Sequence, residues 1–236
     1  MAKIRLEKYI ADVTSLTRKE IKKIMDEGYV TVNGEIIRRS TSVNIDDEIC
    51  LYDEILKYEK YKYYMLNKPA GYITANHDYH EATIFDLLPE LRSEKLFAYG
   101  RLDKDTEGII LISNDGVLGH KLLNPKYHVK KTYFVKVDKP FNDNIKNHFP
   151  KPIKIGEGEI VNDYKFDFIS EDQCLLEISE GKFHQVKRML EFFEYDVTYL
   201  KRIKFGPLKL DNDLDLGDIR PLTEEEIKLL KENIDG

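Results

Sequence analysis

The sequence has little cysteine, no long apolar run and no excess of positive charge. Its two cysteines, Cys50 and Cys174, lie far apart and form no CxxC pair. They read as buried reduced thiols rather than a disulfide framework or a redox site. No apolar run reaches the roughly 18 residues a transmembrane helix needs, and the first residues contain no apolar signal-peptide core. A cytoplasmic location and no membrane partner are expected. HExxH, P-loop and GxGxxG patterns are absent, and His184 has no second histidine at ligand spacing. Neither a metal nor a cofactor is expected from those signatures.

The formal net charge of -6 at first disfavours a nucleic-acid partner, but its distribution changes the reading. Asp211 to Gly236 holds nine Asp/Glu against three Lys/Arg, which equals the whole deficit. Val117 to Val137 holds five lysines (Lys121, Lys126, Lys130, Lys131 and Lys136) and no acid. A basic face binds phosphates even on an acidic chain, although a solvated lysine surface has the same composition.

What is present is a chain of 236 residues, 42% hydrophobic and 34% charged. That suits a soluble globular protein with one large domain or two smaller ones. In the first part, Leu16, Ile21 and Ile24 follow helical spacing. Thr17 and Glu20 form a capping-box pattern, and Gly28 stops the helix. Tyr29–Val32 alternates as a strand, and Asn33-Gly34 signals a hairpin into Glu35-Ile36-Ile37. Arg18, Lys19, Lys22 and Lys23 sit on the capped helix, with Arg38 and Arg39 past the hairpin. These cations fit RNA binding or an ordinary exposed helix. Lys57-Tyr58-Glu59-Lys60 reads as a linker.

From about Tyr61, strands and helices mix without regular βα alternation, which favours α+β over a doubly wound sheet. Tyr63–Leu66, Gly108–Ser113, Lys131–Val137 and Cys174–Ser179 read as strands. Phe183, Val186, Leu190 and Phe193 mark one face of a helix.

Four segments could carry chemistry. Leu66 to Ile73 reads as a strand, a Pro-Gly turn and a leaving strand. Gly100 to Gly108 is polar and precedes an apolar strand, so Asp103 would be held on a rigid element or lie in a surface turn. In Lys131–Val137 the alternation puts Tyr133, Val135 and Val137 on one face, where Tyr133 could stack on a base or fill the core. In Glu180–Met189, His184, Lys187 and Arg188 stand opposite the apolar helix face, suiting phosphate contact or a solvated basic face.

In this order, the segments resemble the pseudouridine synthases of the RsuA and RluB/E/F group over essentially the whole chain. Residues 1 to about 56 resemble an S4 RNA-binding domain of helices plus a hairpin. Its opening helix corresponds to Arg5–Tyr9 and its closing pattern to Val30-Thr31-Val32-Asn33-Gly34. Residues 57–61 would be the linker, and 62–236 the catalytic domain with a mainly antiparallel sheet. Gly100-Arg101-Leu102-Asp103 with Thr106-Glu107-Gly108 matches the catalytic signature. Ser179–Met189 and Gly217–Glu226 resemble the RsuA branch more than the RluB branch.

The resemblance implies that uridine in RNA is isomerised: C1'–N1 is broken, the uracil turns, and C5 is joined to C1'. Neither redox change nor cofactor is needed. It implies small-subunit 16S rRNA, at the uridine numbered 516, or a small-subunit assembly intermediate, as the substrate of a monomer. A 23S rRNA target, as in RluB/E/F-like relatives, and a non-catalytic S4-type RNA-binding or assembly factor are the alternatives. Asp103 would start the reaction, Lys187 would be its counter-ion, and Tyr133 would stack on the target base. Arg101 and Lys68 would contact RNA or shape the pocket, and Lys182, His184 and Arg188 would contact RNA. Lys182 stands where arginine is common. Arg18, Lys19, Lys22 and Lys23 would supply backbone affinity.

Overall fold

Residues 3–14, 16–59, 61–156 and 158–235 are described by the computed structural model, which divides into two compact units, Met1–Lys60 and Tyr61–Gly236. The first unit runs β1 (Ile4–Arg5), α1 (Leu6–Val13), α2 (Arg18–Glu27), β2 (Val30–Val32), β3 (Glu35–Ile36), β4 (Ser42–Val43), β5 (Ile49–Leu51) and β6 (Glu54–Leu56). Helix α2 starts where the local chemistry demands. The Thr17 hydroxyl accepts from the Glu20 amide, and the Glu20 carboxylate accepts from the Thr17 amide. Gly28 closes the helix at φ +90°, a conformation that favours glycine. Strands β3-β2-β5-β6 form a small antiparallel sheet. Its Val30, Ile49 and Leu51 bury against Leu6, Ile10, Ile21 and Met25. Beyond β6, the Tyr58 hydroxyl donates to Asp12 at 3.0 Å, so this part of the charged stretch is tied to the first unit. Lys60 lies outside the described residues.

In the second unit, β7 (Tyr63–Lys68), β8 (Phe97–Tyr99), β9 (Glu107–Ser113) and α3 (Gly116–Leu123) come first. They are followed by β10 (Lys131–Val137), α4 (Asp143–Lys146), β11 (Ile153–Ile155), β12 (Glu159–Val161), β13 (Tyr164–Phe168) and β14 (Gln173–Ile178). Next come α5 (Gln185–Glu191), β15 (Val197–Phe205), β16 (Leu208–Lys209), β17 (Ile219–Pro221) and α6 (Glu224–Asp235). The main sheet has the order β13-β14-β10-β15-β9-β7-β17, with β8 beside β9 and β16 beside β15. Among the described pairs, all are antiparallel except β9 with β15.

At β9 both faces of this sheet are buried. Ile110 and Ile112 join one cluster, which includes Tyr133, Val135, Val186, Met189 and Leu190. Ile109 and Leu111 join the other, with Leu118 and Leu122 of α3 and Leu230 of α6. That is why β9 reads as an unbroken apolar run rather than an alternation. The acidic tail has a structural use. Arg220 on β17 binds Asp211 at 2.6 Å and Glu226 at 2.8 Å, and Leu222 and Leu230 of the same segment complete the second cluster.

Three local expectations differ. No strand leaves the Pro69–Gly71 turn; Ile73 makes only an isolated bridge with Thr83. Phe183 is 72% exposed, because α5 starts only at Gln185, after His184 adopts φ +47°. The apolar helix face is thus Val186, Met189 and Leu190, with Phe193 just beyond the helix. Lys131 is not a surface lysine: it is 8% exposed and donates to the Ser179 carbonyl. Burial lowers its pKa to about 8. Of the cysteines, Cys174 is buried, Cys50 is half-buried, and neither is in a disulfide. Among the described residues, no helix is long and apolar enough to cross a membrane.

Gly108, at the start of β9, has φ +106°, and a methyl group there would overlap the Arg202 carbonyl of β15. Gly108→Ala is expected to cost about 3 kcal/mol or more, read from denaturant unfolding. A loss under about 1 kcal/mol would show that β9 and β15 tolerate separation at this point.

Candidate active site

The loop from Gly100 to Thr106 joins β8 to β9 and is clamped by main-chain and side-chain bonds. Thr74 brackets Leu102, accepting from its amide at 3.0 Å and donating to its carbonyl at 2.9 Å. The Gly71 amide donates to the Lys104 carbonyl at 2.7 Å. Lys68 lies beneath, fully buried at the end of β7. Its ammonium reaches the carbonyls of Thr106 at 2.8 Å, Asp103 and Pro69 at 3.0 Å, and Lys104 at 3.4 Å. Burial lowers its pKa to about 8, against the opposing pull of Asp105 and Asp103. Lys68 therefore shapes the loop from inside, and the expected RNA contact is corrected: the ammonium has no free face.

Above this loop is a small cleft of about 70 Å³, lined by Arg101, Asp103, Tyr133, His184, Lys187 and Leu200 among others. The side chain of Asp103 is 30% exposed. Its Oδ2 lies 3.7 Å from the Lys187 Nζ, and its Oδ1 lies 3.7 Å from the His184 Nε2. Lys187, on the first turn of α5, makes its short bonds elsewhere. Its Nζ donates to Asp105 Oδ1 at 2.7 Å and Oδ2 at 2.8 Å. Burial pushes the Asp105 carboxyl upward, but the hydrogen bonds and charge of Lys187 outweigh it and hold the pKa below its usual value. In this state the counter-ion expected for Asp103 is bonded to Asp105. Tyr133, on β10, is 8% exposed and lines the cleft floor. Its sheet neighbours are Leu176 and Arg202.

The residues singled out in the sequence are therefore only partly brought together. Asp103, Tyr133, Lys187, Arg101 and His184 share the cleft. Arg101 is exposed and makes no ion pair among the described residues. His184 is exposed, with its ring stacked 3.8 Å from Phe183. Lys182 lines the same cleft, but its ammonium is held by Glu180 at 2.5 Å and the Ile160 carbonyl at 2.7 Å. Arg188 points away, to Glu159 at 2.5 Å and to the carbonyls of Ile155 and Phe183. It fastens the β11–β12 hairpin to α5, which corrects its expected RNA contact. In the first unit, Arg18, Lys19 and Lys22 line a basic groove with Arg5 and Lys8. Lys23 instead stands 3.9 Å from Glu27.

Asp105 and Thr74 were not singled out in the sequence. The spacing of Asp105, two residues after Asp103 in the same polar turn, was an available signal. Thr74 had none, since its partner is a main-chain group 28 residues away.

A carboxylate and an ammonium face each other across a tyrosine-floored cleft, on a mixed, mainly antiparallel sheet. The chain belongs to the RNA pseudouridylate synthase family, whose profile matches residues 62–192. The chain is thus an RNA pseudouridine synthase. It is similar to the Ribosomal small subunit pseudouridine synthase A of Haemophilus influenzae, with 38% identity over 96% of this chain and 99% of that one. The protein of the same name from Escherichia coli strain K12 is 36% identical over 95% and 98%. An uncharacterized RNA pseudouridine synthase, YtzG of Bacillus subtilis, is 38% identical over 97% and 99%. A crystal structure of a pseudouridylate synthase is likewise similar, with a TM-score of 0.69 and 38% identity, covering 96% of this chain and 99% of that one.

Proposed function

We propose that this enzyme converts uridine to pseudouridine in small-subunit 16S rRNA, as a cytoplasmic monomer, with Asp103 as the group that starts the reaction. The observation that carries the substrate class is the near-full-length likeness to small subunit pseudouridine synthases A. The cleft supports the role of Asp103, since it is the carboxylate that lies beside both His184 and Lys187 there.

In this reading the target uridine leaves its stack, at a cost of a few kcal/mol, and enters the cleft. The uracil lies on Tyr133, Arg101 holds the backbone at the rim, and the C1'–N1 bond breaks with Asp103 ionised. The uracil turns and C5 joins C1'. The C5 proton is lost and N1 ends protonated, so the formula is unchanged. Lys187 offsets the charge of the carboxylates as the base displaces water. Residues 1–56 act as an S4-like RNA-binding domain, supplying salt-sensitive backbone affinity through Arg18, Lys19 and Lys22.

The test is chemical mapping of pseudouridine in total rRNA with and without the gene. One 16S uridine, with position 516 the first to inspect, should lose its signal. Loss at a 23S position instead would redirect the substrate, and no change at any uridine would overturn the reading. For the cation, Lys187→Met should lower kcat by about 10²-fold with little change in KM. Lys187→Arg should recover part of the loss. An unchanged kcat in Lys187→Met would remove Lys187 from the mechanism.

A further inference from the structure

A second and larger groove, of about 770 Å³, lies beside β13 on the catalytic unit. None of its lining residues was singled out for the reaction, and it has three features in common with nucleic-acid grooves.

The first is its continuity with the cleft. Ile178 lines both the groove and the Asp103 cleft. Tyr133 of β10 pairs with Leu176 of β14, which pairs with Phe166 of β13. These three residues form one row across the sheet. Two strand spacings of about 4.8 Å put the backbone of Phe166 about 10 Å from that of Tyr133, within reach of a nucleotide or two.

The second is its aromatic surface. Phe166 and Phe168 are stacked, with ring planes 13° apart. Phe149 also lines the groove, 60% exposed and edge-on to Tyr164, which is itself edge-on to Phe166. Bases of any identity stack on such rings.

The third is charge. Lys146 and Lys165 line the groove, are exposed, and make no ion pair among the described residues. Two carboxylates also line it. Glu177 is neutralised by Lys130 at 2.7 Å, which leaves Asp163 against the two free lysines.

We propose that this groove binds the single-stranded RNA that flanks the target uridine, stacking bases on Phe149 and Phe166 and placing phosphates at Lys146 and Lys165. The proposal rests on the rRNA reading above and extends it. A chain whose uridine enters the cleft is carried past Ile178 into the groove, so the occupant is the substrate strand itself. Recognition of this kind is tolerant of sequence and sensitive to salt.

The experiment compares three RNAs: a hairpin carrying the mapped uridine, and the same hairpin with a single-stranded extension of about ten nucleotides on its 5' or its 3' side. Wild-type enzyme should bind one of the two extended RNAs about tenfold more tightly than the hairpin, by fluorescence anisotropy. It should show a matching fall in KM. Phe149→Ala combined with Lys146→Glu and Lys165→Glu should abolish that gain. All three side chains are exposed, so kcat on the bare hairpin should stay as in wild type.

An equal gain in the triple variant, or no gain from either extension, would overturn the proposal. So would a triple variant that binds every RNA normally but loses affinity for protein-bearing small-subunit particles, because the groove would then hold a protein. Failure of the rRNA reading is distinct: the wild type would bind the extended RNA more tightly yet convert none of these uridines.

Discussion

Replacing Asp103 with asparagine should lower pseudouridine formation by about 10⁴-fold or more while RNA affinity stays within about threefold. General-base catalysis alone supplies about 10²–10⁴-fold, and where the carboxylate is the nucleophile the amide cannot form the covalent intermediate at all. The substitution keeps the size and shape of the side chain. The loop should hold, because its anchors are the carbonyls of residues 103, 104 and 106 and the Thr74 hydroxyl, none of which changes. Lys187 should stay in place on Asp105. Conversion assayed by chemical mapping, alongside binding by anisotropy, separates chemistry from recognition. Normal turnover by Asp103→Asn would remove the carboxylate from the mechanism, and loss of binding would make it a recognition residue instead.

The second large effect is expected at Lys68. Lys68→Met removes the donor shared by four carbonyls and leaves the Asp103 loop free to shift. A displacement of about 1 Å in such a loop costs roughly 10²-fold in rate, so kcat should fall by that order while KM changes little. Stability should fall as well, because buried carbonyls left without their donor cost about 1–3 kcal/mol, reduced by the ammonium desolvation that is no longer incurred. Lys68→Arg should not rescue, because a planar guanidinium cannot point its donors at the same carbonyls.

The same residue predicts opposite pH trends for activity and stability. Its folded pKa of about 8 lies below the ordinary value of 10.5. Between those values the unfolded chain binds the proton and the folded chain does not, so the stability contribution of Lys68 rises with pH across that window. Lys131, also lowered to about 8 by burial, adds to the same rise. Activity should fall as pH passes about 8, since a neutral amine has fewer donors for the loop carbonyls. A kcat that stays flat to pH 9.5 in wild type would show that the loop does not depend on the charge of Lys68.

What could be read in advance was local. Thr17 with Glu20, Asn33 with Gly34, and the alternation of Lys131–Val137 each carry their conformation within a few residues. Structure followed the pattern there. The Asp103 turn was legible because six polar residues crowd one short segment before an apolar strand. What stayed hidden depended on distant main chain. Lys68 looks like an exposed strand end, and its partners are carbonyls up to 38 residues away. Arg188 has the helical spacing of a basic face, yet its partners lie on and around the β11–β12 hairpin. Phe183 fits an apolar helical face by count, but the helix starts two residues later because His184 is left-handed. In the cleft, the choice of Lys187 between Asp103 and Asp105 is a matter of an ångström, which spacing cannot resolve.

The parallel pairing of β9 with β15 has a consequence for how the enzyme comes into being. Strand β9, which carries the Asp103 loop, is joined through Glu107 and Gly108 to Lys201 and Arg202 of β15, across most of a hundred residues. Contacts so distant in sequence form slowly, and during synthesis they cannot form at all until β15 has left the ribosome. Neither Lys187 nor Leu200 exists to wall the cleft before then. A nascent chain therefore carries Asp103 without a cleft around it, and catalytic competence arrives late and all together rather than growing with chain length.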